Sequence, residues 1–416
     1  MDKETIIARL ASLRGWMTEN DVDAFVVRNV SNIAWLTGFE GVYDDEWAHT
    51  MLITQDEAVI HTDSRYATAI RKGAFALGKV FSVHTTPMTA QRFVELELLR
   101  KNSNVKIPTV TSAMPEAVAS PAEEAAPAPG IFAIEDDITL AEFRAFEAIE
   151  QARAIPPKET SNVVRRLRAV KNAQELAIMQ AAQDITDAAF AHMREYVKPG
   201  MTEREVQIEL DDFMLWSGAN GLAFSSIVAF GPNSAKPHAV PGDTKLEAGG
   251  VLLLDFGAKY RGYCSDMTRC LFLGEPTAPA RHVFDVVREA NEAVEAMLKP
   301  GVTGAEAQKT AEDVLEKNGF GGTMGHGLGH GVGIDIHEEP FLNLRNNEPL
   351  VAGNVVTVEP GIYLEEGRMT KVSLPMGGSV DVPMIPPMGV RMEDCGVITE
   401  DGYHVFTKSP HDIVII

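Results

Sequence analysis

The chain has 416 residues, of which 45% are hydrophobic, and this is enough for two domains with substantial cores. Its 37 Lys and Arg against 59 Asp and Glu give a formal net charge of -22, which disfavours nucleic acid and anionic membrane surfaces as partners. The same charge can gather cations near a carboxylate-lined cleft, although a solvated acidic surface is its commoner meaning.

Cysteine content and the first residues bear on the cellular compartment. Cys264, Cys270 and Cys395 are odd in number and form no Cys-x-x-Cys pair, so they indicate neither a disulfide framework nor a zinc knuckle. The opening segment MDKETIIARLASLRGW is charged and amphipathic, and apolar runs such as VLLL are too short to span a bilayer. We therefore expect a cytoplasmic protein that does not associate with membranes.

The first 100 residues alternate helix-like segments with short strand-like runs, namely AFVV, TMLIT and AVIHT. This alternation predicts a mixed α/β domain. Residues 108–130 hold five prolines and no aromatic residue, so they predict a surface insertion, and a helix is predicted near 139–152. Asn172 and Glu175 then form a capping-box pattern at the start of another helix. We assign residues 1–160 to an N-terminal domain and 161–416 to a C-terminal domain.

The C-terminal domain contains an internal repeat. VKPGMTEREVQIELDDFMLWSG (197–218) aligns without gaps to LKPGVTGAEAQKTAEDVLEKNG (298–319). Each copy reads as a Pro-Gly turn, a Thr cap and an amphipathic helix that ends at Gly. The repeat predicts two related halves with a functional cleft between them.

Acidic residues recur at predicted strand ends in both halves. In VLLLDFGAKYRGYCSDMTRCLFL (251–273), a hairpin that turns at Tyr260 and Arg261 would place Asp255 directly opposite Asp266. Like charges so placed destabilise the pair unless cations lie between them. The alternative is that both are ordinary turn and strand-end residues.

The second half supplies two more strand-like runs. In NVVTVEPGIY (354–363), Glu359 precedes a Pro-Gly stop. If GVRMEDCGVI (389–398) is one strand, Arg391 and Glu393 share a face and Asp394 lies on the other. Taken singly, each glutamate is an ordinary charged residue.

The stretch MGHGLGHGVGIDIHEEP (324–340) surrounds three histidines with five glycines. Each glycine costs about 0.5–1 kcal/mol relative to alanine in regular structure, so another group must approach this backbone closely. His330, together with Asp255, Asp266, Glu359 and Glu393, makes a set of four carboxylates and one imidazole. Such a set suits two divalent cations, with Mn²⁺ preferred and Co²⁺, Fe²⁺ or Zn²⁺ as alternatives, and these would acidify a bridging water.

Several motifs together carry a family resemblance. DFGAKYRGYCSDMTR, HGLGHGVGIDIHEEP, VEPGIY and GVRMED resemble the metal-binding signature of the prolidase and aminopeptidase P branch of the pita-bread metallopeptidases. Upstream, NVSNIAWLTGFEG, HTDSRY and VVRRLRAVKNAQELAIMQAA resemble that branch's amino-terminal domain and junction. The resemblance implies an α/β (α+β) fold, with a smaller creatinase/prolidase-like N-terminal domain and a C-terminal pita-bread domain of two pseudo-symmetric halves.

The resemblance also implies site roles. The implied metal ligands are Asp255, Asp266, His330, Glu359 and Glu393. Asp266 and Glu393 are expected to bridge the two metals, and Glu359 also to accept and return the proton of the attacking water. The remaining implied roles are stabilisation of the oxyanion by His337, lining of the substrate cleft by His238, and support of the ligands by Arg391 and Tyr363. For His326 we favour a structural or cleft-wall role.

The implied activity is hydrolysis of Xaa-Pro bonds at the amino terminus of short peptides, by a hydroxide that bridges two divalent metals in a homodimeric enzyme. One alternative is a non-catalytic peptide-binding or protein-binding member of the fold, and another is a creatinase-like carbon-nitrogen hydrolase. Dipeptide-preferring relatives often carry an arginine directly after the HE-x-P segment, where this chain has Phe341. The choice between dipeptidase and aminopeptidase therefore stays open, with Arg368 or Lys371 as hypothetical substitute cations.

Overall fold

A computed structural model describes residues 1–44, 46, 48–78, 80–103, 131–151, 157–373 and 379–416. The predicted insertion at 108–130 lies outside these described residues. The chain forms two compact units, Met1–Leu167 and Arg168–Ile416. Within the described part of the chain, no helix is long and apolar enough to cross a membrane.

The first unit is built on a six-stranded mixed sheet. Its strands are β1 (Ala24–Val27), β2 (Thr50–Thr54), β3 (Ala58–His61), β4 (Ser82–His84), β5 (Phe132–Ile134) and β6 (Lys158–Glu159), in the spatial order β4-β3-β2-β1-β5-β6. The helices are α1 (Lys3–Glu19), α2 (Val30–Thr37), α3 (Ala67–Ala76), α4 (Ala90–Ser103), α5 (Leu140–Gln151) and, at the unit boundary, α6 (Val163–Arg168). The predicted mixed α/β domain is confirmed, because apolar runs such as β1 are buried along their whole length.

The second unit contains four long helices, α7 (Ala173–Tyr196), α8 (Glu203–Trp216), α9 (Ala278–Met297) and α10 (Gly304–Lys317). The predicted capping box at the start of α7 is confirmed. The Asn172 side chain accepts from the backbone N–H groups of Gln174 and Glu175, and the Glu175 side chain accepts from that of Asn172.

The internal repeat is reproduced in three dimensions. Thr202 and Thr303 form capping boxes at the starts of α8 and α10. Gly200 N donates to Leu246 O at 2.8 Å, and Gly301 N donates to Leu350 O at 2.9 Å in the other copy. The same Pro-Gly turn and Thr cap therefore give the same local structure twice.

Strands of the second unit form two principal sheets. The strands are β7 (Gly221–Leu222), β8 (Ile227–Phe230), β9 (Val251–Phe256), β10 (Ala258–Tyr260), β11 (Tyr263–Cys264), β12 (Met267–Phe272), β13 (Gly329–Gly331), β14 (Glu338–Leu342), β15 (Val355–Val358), β16 (Gly361–Leu364), β17 (Arg368–Ser373), β18 (Ser379–Ile385), β19 (Met388–Arg391), β20 (Asp394–Thr399), β21 (Gly402–Val405) and β22 (Val414–Ile415). One principal sheet has the order β22-β12-β9-β8 and the other β14-β13-β15-β20-β21, while smaller sheets join β11-β10-β7, β16-β19 and β17-β18.

Both faces of β9 pack in a hydrophobic core, and Asp255 shares its face with Leu253. Leu252, Leu254 and Phe256 pack in one core cluster with residues of α7 and α8. Because side chains alternate along a strand, Leu253 and Asp255 lie on the opposite face. Leu253 belongs to the second core cluster, which contains residues of α9 and α10.

The predicted hairpin register is wrong by two residues. Asp255 pairs with Thr268 rather than with Asp266, and the hairpin turns at Arg261 and Gly262, whose φ values are 47° and 87°. Glycine adopts such positive φ at no steric cost, which moves the turn toward Gly262. A shift of two residues keeps each side chain on the same face of the sheet.

The prediction of a single strand over 389–398 is also wrong. It is divided into β19 and β20, with Met392 and Glu393 between them. Met392 N donates to Pro360 O at 3.3 Å and Glu393 N to Thr268 O at 3.1 Å, so these backbone groups pair outside β20. Simple alternation along one strand therefore does not fix the direction of Glu393.

Candidate metal centre

Four carboxylates lie where strands end. Asp255 is near the end of β9 and Asp266 directly precedes β12, while Glu359 directly follows β15 and Glu393 directly precedes β20. The pairs β9–β12 and β15–β20 are antiparallel, which places their acidic ends together. All four side chains line one cavity of 1080 Å³.

His330 joins this group from β13, which pairs with β15. Its Nε2 atom lies 3.6 Å from Oδ2 of Asp266 and 3.4 Å from Oε1 of Glu359. One ligand atom from each of Asp266, His330 and Glu393 lies within 4.8 Å of the others. The residues that the sequence singled out in separate motifs therefore converge on one site.

The glycines around His330 permit close strand packing. A Cβ atom at Gly329 would lie 2.2 Å from Thr357 O, and one at Gly331 would lie 2.3 Å from Glu339 O. Such distances exclude any side chain larger than hydrogen. The glycines therefore let β13 run between β14 and β15, which carries the His330 imidazole to the carboxylates.

Arg391 and two threonines hold the carboxylates in place. Arg391 makes a short contact with Asp255 Oδ2, and its Nε donates to Thr268 Oγ1 at 2.9 Å. Thr268 Oγ1 donates to Glu393 Oε2 at 2.6 Å, and Thr357 Oγ1 donates to Glu359 Oε1 at 3.2 Å.

Sequence reasoning missed both threonines. Thr268 shares its strand face with Asp266, two residues before it, so period-two alternation was a usable signal. Thr357 likewise shares parity with Glu359. A threonine in a strand is common, however, and only the contact reveals its role.

Burial and crowding dominate the electrostatics of the site. Burial, followed by the charges of Asp255 and Glu359, raises the pKa of Asp266 well above its usual value. Burial raises the pKa of Glu359 to about 8 and lowers that of His330 to about 4. The imidazole is thus neutral, as a metal ligand must be, and the crowded carboxylates resist ionising together unless cations lie between them.

Two buried carboxylate oxygens indicate that the site fits a metal. Within the described residues, Oδ1 of Asp255 and Oδ1 of Asp266 are buried and have no hydrogen-bond partner. An unpartnered buried carboxylate oxygen is costly, and a bound cation removes that cost. Together with Glu359, Glu393 and His330, these oxygens form a hard donor set that fits divalent ions.

Three other histidines line the same cavity. The ring centroid of His337 lies 4.3 Å from that of His330, and both His337 and His238 are exposed to the cavity. His326 Nε2 pairs with Tyr363 OH at 2.9 Å, and this hydroxyl also accepts from Arg391 Nη1 at 2.7 Å. Tyr363 therefore connects the cavity wall to the arginine that holds Asp255.

A buried ion cluster lies beside His337 in the chain. Arg168, with 1% of its side chain exposed, makes a short contact with Glu338 and donates to Asp335 Oδ2 at 2.8 Å. Lys171 Nζ lies 3.3 Å from Glu338 Oε2, and Asp335 N donates to Glu338 Oε1 at 3.0 Å. The cluster fixes the two residues on either side of the Ile336–His337 dipeptide. It was not predicted, since nothing in the sequence pairs residues so far apart.

The hypothetical substitute cation Arg368 lies elsewhere. Its guanidinium is 4.2 Å from the centroid of the Phe320 ring and donates to Gly319 O at 2.7 Å. Arg368 is absent from the described lining of the cavity. The Lys371 side chain is outside the described part of the structure.

A buried group of four carboxylates and one imidazole on this fold defines a metal-dependent hydrolase. The sequence matches the model of metallopeptidase family M24 over residues 177–400 and that of the creatinase/prolidase N-terminal domain over residues 9–170. The chain belongs to metallopeptidase family M24, and it is a divalent-metal enzyme of that family.

Relatives and solved structures agree with this assignment. An uncharacterised peptidase, YqhT of Bacillus subtilis, is 32% identical over 414 residues, covering 98% of this chain and 100% of the relative. A Xaa-Pro dipeptidase of Pyrococcus furiosus is 34% identical over 257 residues, covering 62% of this chain and 68% of the relative. The structure of a Xaa-Pro dipeptidase from Bacillus anthracis superposes with a TM-score of 0.80 at 30% identity, covering 99% of this chain and 100% of the other. The structure of an X-Pro aminopeptidase from Thermotoga maritima superposes with a TM-score of 0.75 at 29% identity, covering 98% of this chain and 100% of the other.

Proposed function

We propose that this enzyme hydrolyses the Xaa-Pro bond at the amino terminus of short peptides, using two divalent metal ions. The observation that carries the proposal is the convergence of Asp266, His330 and Glu393 ligand atoms within 4.8 Å on the wall of a large cavity. Relatives named as Xaa-Pro dipeptidases and as an X-Pro aminopeptidase support the substrate class.

The proposed ligands are Asp255, Asp266, His330, Glu359 and Glu393, with Asp266 and Glu393 shared between the two ions. We infer Mn²⁺ as the preferred metal, with Co²⁺, Fe²⁺ or Zn²⁺ as alternatives, because oxygen donors predominate in the set. When bound, such ions acidify a water molecule and polarise the carbonyl of the scissile bond.

The protein groups then act on protons and on developing charge. Glu359, held by Thr357, accepts the proton of the attacking water and returns it to the leaving proline nitrogen. His337, next to His330 on the open side of the site, donates to the oxyanion of the tetrahedral intermediate. His238 lines the substrate side of the cavity, and Arg391 and Tyr363 keep the carboxylates oriented.

A tertiary prolyl amide has no N–H group and a fixed φ, so peptidases that bind an extended backbone through its N–H groups fit it poorly. A cavity of 1080 Å³ whose lining includes the reacting groups accommodates this shape. This supports an Xaa-Pro bond as the scissile bond.

The test is hydrolysis of an Xaa-Pro dipeptide and an Xaa-Pro tripeptide by metal-stripped protein, with and without added Mn²⁺ or Co²⁺. We expect cleavage only with metal, and loss of cleavage in Glu359→Gln. The matched control is Glu366→Gln, an exposed glutamate between β16 and β17, which keeps wild-type rates. Absence of cleavage of both peptides by metal-loaded wild-type protein would overturn the proposal.

We also infer a homodimer in the cytoplasm. The family resemblance supports the dimer, and the three buried, unpaired cysteines of the described chain support a reducing compartment. Light scattering of the purified protein tests the dimer, and a monomeric mass contradicts it.

A further inference from the structure

A second group of potential metal ligands lies outside the carboxylate cavity. One ligand atom from each of Glu295, Asp394 and His411 lies within 4.8 Å of the others. Glu295 belongs to α9, Asp394 begins β20, and His411 lies between β21 and β22. The described lining of the cavity includes none of the three. The group is therefore separate from the centre that His330 and the four carboxylates form.

The two ring nitrogens of His411 face different carboxylates. Its Nε2 atom lies 2.9 Å from Asp394 Oδ2, whereas its Nδ1 atom lies 3.4 Å from Glu292 Oε1. A histidine that ligates a metal through one nitrogen usually donates its other N–H to a carboxylate or a carbonyl, which fixes the tautomer. Glu292 is placed to hold the Nδ1 proton, which leaves the lone pair of Nε2 on the side of Asp394.

Glu295 has an oxygen without a partner. Within the described residues, Oε1 of Glu295 is buried and makes no hydrogen bond. Burial, followed by the charge of Asp394, raises the pKa of Glu295 to about 7, so the surroundings oppose its ionisation. An unpartnered buried carboxylate oxygen is costly, and a cation at this position removes the cost.

Arg269 holds the rest of the group in place. Its Nη2 donates to Asp394 Oδ1 at 2.6 Å, so the other oxygen of this fully buried carboxylate stays on the side of His411. Arg269 also donates to Ser409 O at 2.9 Å and to Pro410 O at 3.2 Å. One guanidinium therefore fixes both the carboxylate and the segment that carries the imidazole.

The local charges leave room for a dication. The charges that act on Glu295 are those of Asp394, Glu292, Arg269 and His411. When His411 is neutral, as ligation requires, Arg269 alone faces the three carboxylates, and one divalent cation restores neutrality. One imidazole and two carboxylates are ordinary ligands of Zn²⁺. The side chain of His411 is 25% exposed, which gives an ion a route of entry and leaves a position for water.

We propose that Glu295, Asp394 and His411 bind a divalent cation of the Zn²⁺ type, with Glu292 and Arg269 orienting the ligands. The ion joins α9, β20 and the segment before β22.

This site contacts the backbone that carries a ligand of the first centre. Arg269 Nη1 donates to Glu393 O at 2.6 Å, and Glu393 directly precedes Asp394 in the chain. An ion on Asp394 therefore stabilises the segment that presents Glu393 to the cavity. The proposal does not rest on the proposed function, because it concerns other side chains and is tested by metal binding.

The experiment measures Zn²⁺ bound to the metal-stripped full-length protein by equilibrium dialysis at fixed free Zn²⁺, followed by metal analysis. We expect His411→Gln to lose about one equivalent of Zn²⁺ per chain relative to wild type, because it removes the imidazole ligand. His330→Ala, which weakens binding at the cavity, should retain this equivalent, and the double variant should lose it. Zn²⁺ should likewise raise the melting temperature of His330→Ala more than that of the double variant.

A matched control and a milder variant test the assignment. His404→Gln, an exposed histidine on β21, should keep the wild-type stoichiometry. Glu292→Gln keeps all three ligands but loses the charged partner of Nδ1, so we expect about tenfold weaker Zn²⁺ binding at this site. The Glu292 side chain is 55% exposed, so its substitution leaves the fold intact.

Two results would overturn the proposal. One is an unchanged Zn²⁺ stoichiometry in folded His411→Gln, which would leave His411 and Asp394 as a simple ion pair. If His411→Gln does not fold, Glu292→Gln in the His330→Ala background decides, and unchanged Zn²⁺ affinity there is the second such result. Neither outcome depends on whether the enzyme cleaves Xaa-Pro peptides.

Discussion

Thr268 lies directly across the β9–β12 pair from Asp255 and donates from Oγ1 to Glu393 Oε2 at 2.6 Å. Its hydroxyl also accepts from Arg391 Nε at 2.9 Å. One buried hydroxyl therefore orients a carboxylate of the second half of the domain from a strand of the first half. Groups that orient metal ligands in this way affect metal affinity strongly.

Thr268→Val keeps the shape of the side chain but removes both hydrogen bonds. We expect Mn²⁺ affinity to fall by about 10–100-fold, because Glu393 loses its orienting donor. Titration calorimetry on metal-stripped protein measures the change. Thr310→Val, on α10 but outside the described lining of the cavity, is the control. Equal Mn²⁺ affinities for the two variants would contradict the expectation.

Asp266→Asn should separate stability from metal binding. In metal-stripped protein we expect a higher melting temperature than in wild type, because a carboxyl whose pKa is raised by burial and by neighbouring charges costs stability at pH 7, and the amide removes that cost. With Mn²⁺ at about 100 times its Kd, wild type should gain about 2.7 kcal/mol while the variant gains little. Thermal melts with and without metal test this. A variant that is stabilised by Mn²⁺ as strongly as wild type excludes Asp266 as a ligand.

Gly329→Ala should destabilise the fold by about 1–3 kcal/mol, the usual cost of forcing extra volume into a packed site. The new methyl would overlap Thr357 O, which is part of β15. Urea unfolding measures the free energy of unfolding. The control is Gly327→Ala, whose methyl would meet its nearest atom, Leu342 O, at 3.4 Å. The close-packing explanation is wrong if both substitutions cost the same.

The ionisation of Glu338 should make the free energy of unfolding depend on pH. Burial alone would raise the pKa of Glu338, but Arg168 and Lys171 outweigh it and hold the pKa below the ordinary 4.5. A carboxyl whose folded-state pKa is lowered adds stability above its unfolded pKa and loses it as the pH falls through the folded value. At pH 7, Glu338→Gln should therefore cost about 3 kcal/mol or more, because Arg168 stays buried with less compensation.

The test is chemical unfolding of metal-stripped wild type and Glu338→Gln between pH 7 and pH 3. The difference in unfolding free energy should be largest at pH 7 and shrink below pH 4.5. Glu316→Gln, an exposed change on α10, should show no comparable loss. If the difference in unfolding free energy is constant or grows toward low pH, the charge of Glu338 in the ion cluster is not its cause.

Features that depend on neighbouring residues could be predicted from the sequence, and features that depend on distant contacts could not. The cap at Asn172, the repeated Pro-Gly turns and the strand that ends before Glu359 were all predicted, because each depends on residues within one turn or one strand. The register at Asp255 was predicted wrongly. A turn one residue further along the chain changes the residue that pairs with Asp255 but keeps every side chain on the same face of the sheet. The division of the last strand at Glu393 arises from backbone bonds to Thr268 and Pro360, which lie in other motifs.

The sequence by itself determined the two related halves and the chemical types of the donor set, since repeats and strand-end carboxylates can be read along the chain. Only the tertiary structure decided which neighbours complete the site. Thr268 meets Glu393 across a separation of 125 residues, and Arg168 meets Glu338 across 170. Side chains of ordinary type acquire these roles only through burial and contact, and one chain read alone does not specify such distant pairs.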